Sequence, residues 1–101
     1  MTQLACTLSA FDPEELRRYR RSRQAIRAAT RAAKELAGGY GFHLGTASET
    51  FQTAAEWIAL EHRCCPFLNF KLELKANSEV WLSVTGSGEV KAFLSAAIGG
   101  Q

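Results

Sequence analysis

The chain has 101 residues, of which 47% are hydrophobic and 10% aromatic, and its formal net charge is +2. This length suits one domain, so we expect residues 1–101 to share one core, and the composition excludes a disordered or fibrous protein. The sequence has no basic leader and no apolar run of about 18 residues, which predicts a cytoplasmic protein without a membrane span. Its three cysteines are an odd number, which argues against a disulfide framework and favours thiols used for metal binding, reactivity or packing.

The first predicted elements are a short strand and a long helix. Residues 2–8 alternate between apolar and polar side chains, as a strand does, and this places Cys6 on the face with the leucines. Asp12 then begins a typical helix start, with proline at the first helical position and glutamate three residues after the cap. We expect the helix to run to Ala37 and to stop at Gly38, because glycine ends helices readily.

A second strand and a second helix follow. Residues 40–44 alternate again, which predicts a strand with one face towards solvent or a partner. Thr46 and Glu49 have the spacing of a capping box and predict the start of an amphipathic helix. Pro66 lacks an amide donor and disfavours helical dihedral angles in the residue before it, so the helix should end at residues 63–64. The two adjacent cysteines would therefore lie at the C-terminal end of a helix.

The C-terminal third predicts a hairpin and a last helix. Residues 68–75 and 80–85 flank a short polar connection, and the first of them alternates in hydrophobicity most clearly. Residues 90–98 carry apolar side chains at helical spacing and precede a glycine pair. The element order is strand, helix, strand, helix, strand, strand, helix. We therefore predict an α+β fold, a mostly antiparallel sheet of about four strands with three helices layered on one face.

The first predicted helix is strongly basic. It holds eight of the twelve lysines and arginines: Arg17, Arg18, Arg20, Arg21, Arg23, Arg27, Arg31 and Lys34. Such a cluster can supply phosphate contacts in a nucleic-acid-binding protein, or it can coat a solvated face or a dimer rim and pair with glutamates. Acidic residues interrupt the cluster, and no second helix follows after a short turn, so we do not expect a nucleic-acid partner. A homodimer built on this helix remains a possible alternative.

The stretch with the clearest chemistry is E-H-R-C-C-P, residues 61–66. Two adjacent thiolates can ligate a soft ion such as Hg(II), Zn(II) or As(III), because sulfur donors favour thiophilic metals over hard cations. Such an ion needs further donors, and the nearest candidates are Cys6 on the first strand and His62 and Glu61 on the preceding helical turn. Continuing the apolar stripe of the helix places Glu61 towards the core beside Cys65, where its carboxylate could act as an auxiliary ligand. The predicted metal ligands are Cys6, Glu61, Cys64 and Cys65.

Two other interpretations of the cysteines stay open. In the first, Cys64 or Cys65 is a nucleophile or redox switch, and Glu61 or His62 accepts its proton. The negative end of a helix raises the pKa of a nearby thiol, which disfavours an activated nucleophile, so we predict no catalytic residue. In the second, the cysteines are small buried residues, and Glu61 pairs with Arg63 or with an arginine of the first helix. The spacing lacks the paired C-x-x-C motifs of structural zinc sites.

Three stretches of the sequence resemble a group of small bacterial proteins. They read L-E-x-x-C-C-P-F-L-x-F at residues 60–70, W-L-x-x-T-G at residues 81–86 and F-L at residues 93–94. Cys6, in an A-C-T-L context, is similar to a weaker further element, and the resemblance covers most of the C-terminal two-thirds of the chain. The group is associated with heavy-metal resistance, especially to mercury. The resemblance therefore implies that the cysteines bind a soft metal ion.

Overall fold

The computed structural model describes residues 8–92 of the chain. Its elements in chain order are a 3-10 turn (Leu8–Ala10), α1 (Pro13–Ala29), β1 (Ala32–Leu36), β2 (Gly39–His43), α2 (Ser48–Cys64), β3 (Asn69–Leu74) and β4 (Val80–Thr85). A further helical segment begins at Val90 and is described as far as Ala92.

The four strands form one antiparallel sheet in the order β1-β2-β4-β3. β4 lies inside the sheet, and its side chains alternate between the core and the opposite face, with Val80, Leu82 and Val84 buried. The helices cover the buried face, because α2 packs against β3 and β4, and α1 packs against α2. The predicted α+β architecture, with helices on an antiparallel sheet of four strands, is therefore confirmed.

This arrangement places the cysteine-containing turn in the core. Cys64 and Cys65 are fully buried, and they belong to one core cluster with Tyr19 of α1 and Leu82 of β4. Apolar surface in such a cluster stabilises the fold by about 25 cal/mol for each Å² removed from water. Packing on a shared core thus fixes the last turn of α2 relative to both α1 and the sheet.

The first helix is shorter than the sequence predicts, because α1 ends at Ala29 and not at Ala37. The backbone leaves the helix at Thr30, whose hydroxyl and amide both donate to the carbonyl of Ile26. A threonine that bonds back to the preceding turn offers the chain an alternative to continued helix. Residues 32–36, A-A-K-E-L, then form β1 although alanine, lysine, glutamate and leucine favour helices.

Pairing with β2 explains why the segment after α1 becomes a strand. Each residue of β1 faces a partner in β2, from Ala32 opposite His43 to Leu36 opposite Gly39. The glycines predicted to end the helix instead serve the β1–β2 hairpin. A Cβ at Gly39 would lie 2.0 Å from the carbonyl oxygen of Val84, so only glycine permits the close approach of β2 to β4. Tertiary pairing outweighs the local helix preference here.

The predicted start of α1 is confirmed, and the predicted start of α2 is wrong. At α1, Asp12 Oδ1 accepts from the amide of Glu15 at 2.8 Å, and the Glu15 carboxylate accepts from the amide of Asp12 at 3.1 Å, which confirms the helix start. At α2 the predicted capping box is wrong. The helix begins at Ser48 after Ala47, without a side-chain cap, so it starts too late for Thr46 to serve as its N-cap.

Other predicted boundaries agree with the structure or fall outside it. α2 ends at Cys64, as the proline two residues later predicts, and the second strand and the hairpin form near their predicted positions. Of the predicted first strand, residues 2–7 lie outside the described residues, and Leu8 belongs to the 3-10 turn. Of the predicted last helix, residues 90–92 are helical and the remainder lies outside the described range. Within residues 8–92, no helix combines the length and the apolarity that a membrane span requires.

Candidate metal centre

The candidate site lies where α2 ends against the core. Glu61 and Cys64 are three residues apart in the last turns of α2, so their side chains share one face of the helix. Cys65 follows as the C-cap, and its amide donates to the carbonyl of Glu61 at 2.7 Å. Pro66 has no amide and disfavours further helix. Both cysteines are 0% exposed and Glu61 is 7% exposed, so the end of α2 presents its sulfurs and its carboxyl group to the interior.

Three of the predicted ligands come together at this turn. The Cys64 Sγ lies 3.8 Å from Glu61 Oε1 and 3.7 Å from the Cys65 Sγ. One donor atom from each of the three residues lies within 4.8 Å of the others, so this buried group could hold a metal ion. The fourth predicted ligand, Cys6, lies outside the described residues, and its part in the site stays a prediction.

The two cysteines differ in oxidation state. Cys64 is a free thiol, whereas Cys65 is disulfide-bonded. The expectation that the odd cysteine count favours thiols over disulfides is therefore wrong for Cys65. Because the thiolate is the form of cysteine that ligates a metal, the group becomes a complete set of donors only after this disulfide is reduced.

Glu61 is held by groups of α1. The hydroxyl of Tyr19 donates to its carboxylate, and the positive charge of Arg23 acts on it. Burial raises the pKa of Glu61 above its ordinary value, and the Tyr19 hydrogen bond, the Arg23 charge and the Cys64 thiol each oppose that rise. The site therefore contains a carboxyl group that burial makes harder to ionise.

Arg63, one expected partner of Glu61, belongs to another contact. Its guanidinium donates to the carboxylate of Glu15 at 2.6 Å and to the carbonyl of Ala10 at 3.1 Å. The prediction of a Glu61–Arg63 pair is therefore wrong, because Arg63 lies on the exposed side of α2 and Glu61 on the buried side. Arg23, an arginine of the first helix, acts on Glu61 through its charge.

Tyr19 is a site residue that sequence reasoning missed. Its helical spacing assigns it to the apolar stripe of the first helix, and it is 6% exposed. A buried tyrosine hydroxyl needs a hydrogen-bond partner, which was the available signal. Here the hydroxyl donates to Glu61, and it also interacts with Cys64. Burial, followed by the bond to Glu61, raises the pKa of Tyr19 well above its ordinary value, so the hydroxyl stays protonated and acts as a donor.

The surroundings of the Cys64 thiol disfavour its ionisation. Burial and the neighbouring charge of Glu61 raise its pKa to about 11, and the hydrogen bond with Tyr19 offsets part of that rise. A reactive thiol needs a lowered pKa in an electropositive setting. The site therefore disfavours an activated nucleophile, as the sequence predicts, although burial rather than the helix end is the largest cause.

The two histidines lie away from this group of donors. His62 is exposed on α2, and it follows the buried Glu61, so it lies about 100° around the helix from the site. His43 stacks on Trp81 at 5.1 Å between ring centres and lies 3.9 Å from a carboxylate oxygen of Glu79. The burial pattern therefore gives no support to the alternative in which His62 accepts a thiol proton.

The basic cluster is mostly a solvated surface. Among the described residues, Arg18 is the member of the cluster that forms a salt bridge, to Glu56 at 3.0 Å. The other arginines of the cluster are exposed: Arg17, Arg20, Arg21, Arg23, Arg27 and Arg31. Lys34, expected on the helix, lies instead on β1 with its amine 5.9 Å from the centre of the Trp81 ring. Pairing with a glutamate is thus confirmed for Arg18, and a dimer built on the remaining arginines stays a prediction.

Comparisons of the chain with protein-family models, curated proteins and solved structures find no match. The resemblance to bacterial proteins of heavy-metal resistance settings therefore stays a prediction. The site itself is a buried group of two sulfurs and one carboxyl group.

Proposed function

We propose that the reduced protein binds one thiophilic metal ion through Cys64, Cys65 and Glu61. The observation that supports the proposal most directly is the convergence of two sulfurs and a carboxylate oxygen within 4.8 Å in a buried corner of the core. Sulfur donors favour ions such as Zn(II), Cd(II) and Hg(II) over Mg(II) or Ca(II). The proposed function is ion binding and not catalysis.

A bound cation would offset the cost of ionising the buried Glu61 carboxyl group and the buried Cys64 thiol. Burial disfavours the ionised forms of the carboxyl group and the thiol, and the pKa values of Glu61 and Cys64 are both raised for this reason. A divalent ion would reverse the effect, because its charge stabilises carboxylate and thiolate. Metal binding should therefore release protons, and metal uptake should weaken as the pH falls.

Tyr19 would orient the carboxylate for the ion. Its hydroxyl donates to Glu61 from α1, in the way that hydrogen bonds from neighbouring groups fix the ligands of many metal sites. Cys6 remains a proposed further ligand. The resemblance to proteins of heavy-metal resistance settings supports a role in handling a toxic thiophilic ion such as mercury.

Metal uptake by the reduced full-length chain tests the proposal. The protein is reduced with a phosphine, incubated with Zn(II) or Hg(II), desalted against a competing monothiol and analysed by elemental mass spectrometry. We expect about one equivalent of metal in the wild-type protein and far less in a Cys64→Ser/Cys65→Ser variant or in unreduced protein. His62→Ala changes an exposed donor of the same turn and should keep wild-type uptake. Equal uptake by the double cysteine variant would contradict the proposal.

A second candidate function is thiol–disulfide exchange at the same corner. The free sulfur of Cys64 lies 3.7 Å from the disulfide-bonded sulfur of Cys65, which favours this reaction. Attack of the Cys64 thiolate would form a Cys64–Cys65 bond and release the former partner of Cys65 as a thiolate, so no external oxidant is needed. The raised pKa of Cys64 would make exchange faster in alkaline solution. Alkylation and peptide mapping test it, and an unchanged Cys65 linkage at neutral and alkaline pH would exclude it.

A further inference from the structure

The separation of the two sulfurs indicates which class of ion the site fits. With each sulfur about 2.3 Å from a zinc ion, the 3.7 Å between the Cys64 and Cys65 Sγ atoms corresponds to an S–Zn–S angle of about 107°. The tetrahedral angle is about 109°, so this separation, which is measured with Cys65 in its disulfide, equals the tetrahedral spacing that the reduced pair needs. A two-coordinate ion with collinear bonds of this length needs sulfurs about 4.6 Å apart, and bonds at right angles need about 3.3 Å.

The carboxylate extends the same geometry. With a Zn–O bond of about 2.1 Å, the 3.8 Å between Cys64 Sγ and Glu61 Oε1 corresponds to an angle of about 119° at the ion. The Glu61 oxygen and the Cys65 sulfur lie at most 4.8 Å apart. A tetrahedral ion needs about 3.6 Å between such donors, and rotation of the Glu61 side chain about its own bonds would cover a difference of about 1 Å.

Donor chemistry and charge favour the same class of ion. One carboxylate oxygen and two thiolates form a mixed hard and soft set, which suits a borderline ion such as Zn(II) better than a purely thiophilic one. These ligands around a divalent ion leave a single net negative charge, and the positive charge of Arg23 already acts on Glu61. A two-coordinate Hg(II) dithiolate is neutral and makes no use of the buried carboxylate.

We infer that the site is built for a four-coordinate ion of the zinc class, with Glu61 as a ligand beside Cys64 and Cys65. The fourth position falls to water or to another exogenous ligand. This inference rests on the proposed metal binding, and it adds the coordination number and the class of ion. Three protein ligands with one further position is also the arrangement of zinc sites that admit an exogenous ligand.

Cobalt substitution and zinc affinity test the inference in the reduced full-length protein. Four-coordinate Co(II) with thiolate ligands absorbs visible light far more strongly than six-coordinate Co(II), so the spectrum reports the coordination number. Zinc affinity is measured by competition with a chromogenic chelator for the wild type, Glu61→Gln and Glu56→Gln. Glu56 lies on the same helix and pairs with Arg18, so its variant controls for the loss of a carboxylate from α2.

We expect an intense four-coordinate Co(II) spectrum in the wild type. The zinc Kd of Glu61→Gln should be at least about tenfold higher than that of the wild type or Glu56→Gln. Hg(II) uptake by Glu61→Gln should stay at about one equivalent, because two sulfurs suffice for a two-coordinate ion. The spectrum is read on the wild-type protein, so it remains decisive where a variant is destabilised.

Two different results separate a failure of the inference from a failure of the proposed function. A six-coordinate Co(II) spectrum, or the same zinc Kd in the wild type and Glu61→Gln, would overturn the four-coordinate site while leaving cysteine-dependent metal uptake in place. If the reduced wild-type protein takes up neither Zn(II) nor Hg(II), the proposed metal binding itself is overturned.

Discussion

The two faces of strand β4 meet opposite environments. On the inner face, Leu82 is 1% exposed and packs in the core that also contains Cys64 and Cys65. On the outer face, Trp81 lies beside exposed Lys75, whose amine is 5.2 Å from the centre of its ring. Charges on the outer face are solvated and cost little, whereas the carboxyl and sulfur groups of the inner corner are desolvated.

This difference shows why the density of charge is a poor guide to the site. The basic cluster is the most conspicuous charged feature of the sequence, yet most of its arginines are exposed and solvated. The inner corner contains one carboxyl group, Glu61, and it contacts α1 through Tyr19 and the charge of Arg23. A group that is costly to bury and is nevertheless buried marks the corner as the candidate site.

The largest expected effect is a difference in the free energy of unfolding between variants at neighbouring residues on the two faces of β4. Leu82→Ala should lower the free energy of unfolding by about 2–5 kcal/mol, because it leaves a cavity in the core. Ser83→Ala, on the outer face, should change it by less than about 0.5 kcal/mol. Urea denaturation of the two variants measures both effects. Similar losses of unfolding free energy would mean that the two faces of β4 do not differ in burial.

A smaller effect is expected where the inner corner depends on one hydroxyl. Tyr19→Phe removes the donor to Glu61 and should lower the free energy of unfolding by about 1–3 kcal/mol. Tyr40→Phe, at the half-buried tyrosine of β2, is the matched control. Denaturation of metal-free protein with the disulfide intact measures both variants. A Tyr19→Phe variant as stable as Tyr40→Phe would show that the Tyr19 hydroxyl does not support Glu61.

The smallest expected effect is a difference in pH dependence between a buried and an exposed carboxyl group. Burial raises the pKa of Glu61 above its unfolded value, so its contribution to stability is full below the unfolded pKa and is lost as the pH rises through the folded pKa. The hydrogen bond with Arg63 lowers the pKa of Glu15, so its contribution is present above the unfolded pKa and is lost as the pH falls through the folded pKa.

Two glutamine variants should therefore change the stability profile in opposite ways. Relative to the wild type, Glu61→Gln should gain stability as the pH rises from acidic to neutral, and Glu15→Gln should lose it. The free energy of unfolding is measured by urea denaturation across this range, with a chelator present. Parallel profiles of Glu61→Gln and the wild type would mean that the pKa of Glu61 is not raised by folding.

The features predicted from the sequence are those that local chemistry decides. Asp12 caps α1 through its own side chain, and Pro66 removes an amide donor, so helix start and helix end follow from the residues themselves. The alternation of apolar and polar side chains along β3 and β4 likewise predicts the hairpin. Helical spacing then places Glu61 towards the core beside Cys65, and the structure adds Cys64 to the same buried face.

The features that the sequence did not predict depend on contacts between distant segments. Residues 32–36 favour a helix locally, and only pairing with β2 makes them a strand. Helical spacing gives the face on which Tyr19 lies but not the identity of its partner, which comes from α2. The same holds for Arg63, whose partner is Glu15, and for the oxidation state of Cys65.

Titration of the reduced protein with Cd(II) is the most direct test of metal binding at the end of α2. Cadmium binds thiolates as zinc does, and its thiolate charge-transfer absorption in the ultraviolet reports formation of the metal–sulfur bonds. We predict a sharp break at about one equivalent in the wild type and in Glu56→Gln, and no such break in Cys64→Ser. A titration without a break in the wild type, or one that Cys64→Ser leaves unchanged, would contradict metal binding at the end of α2.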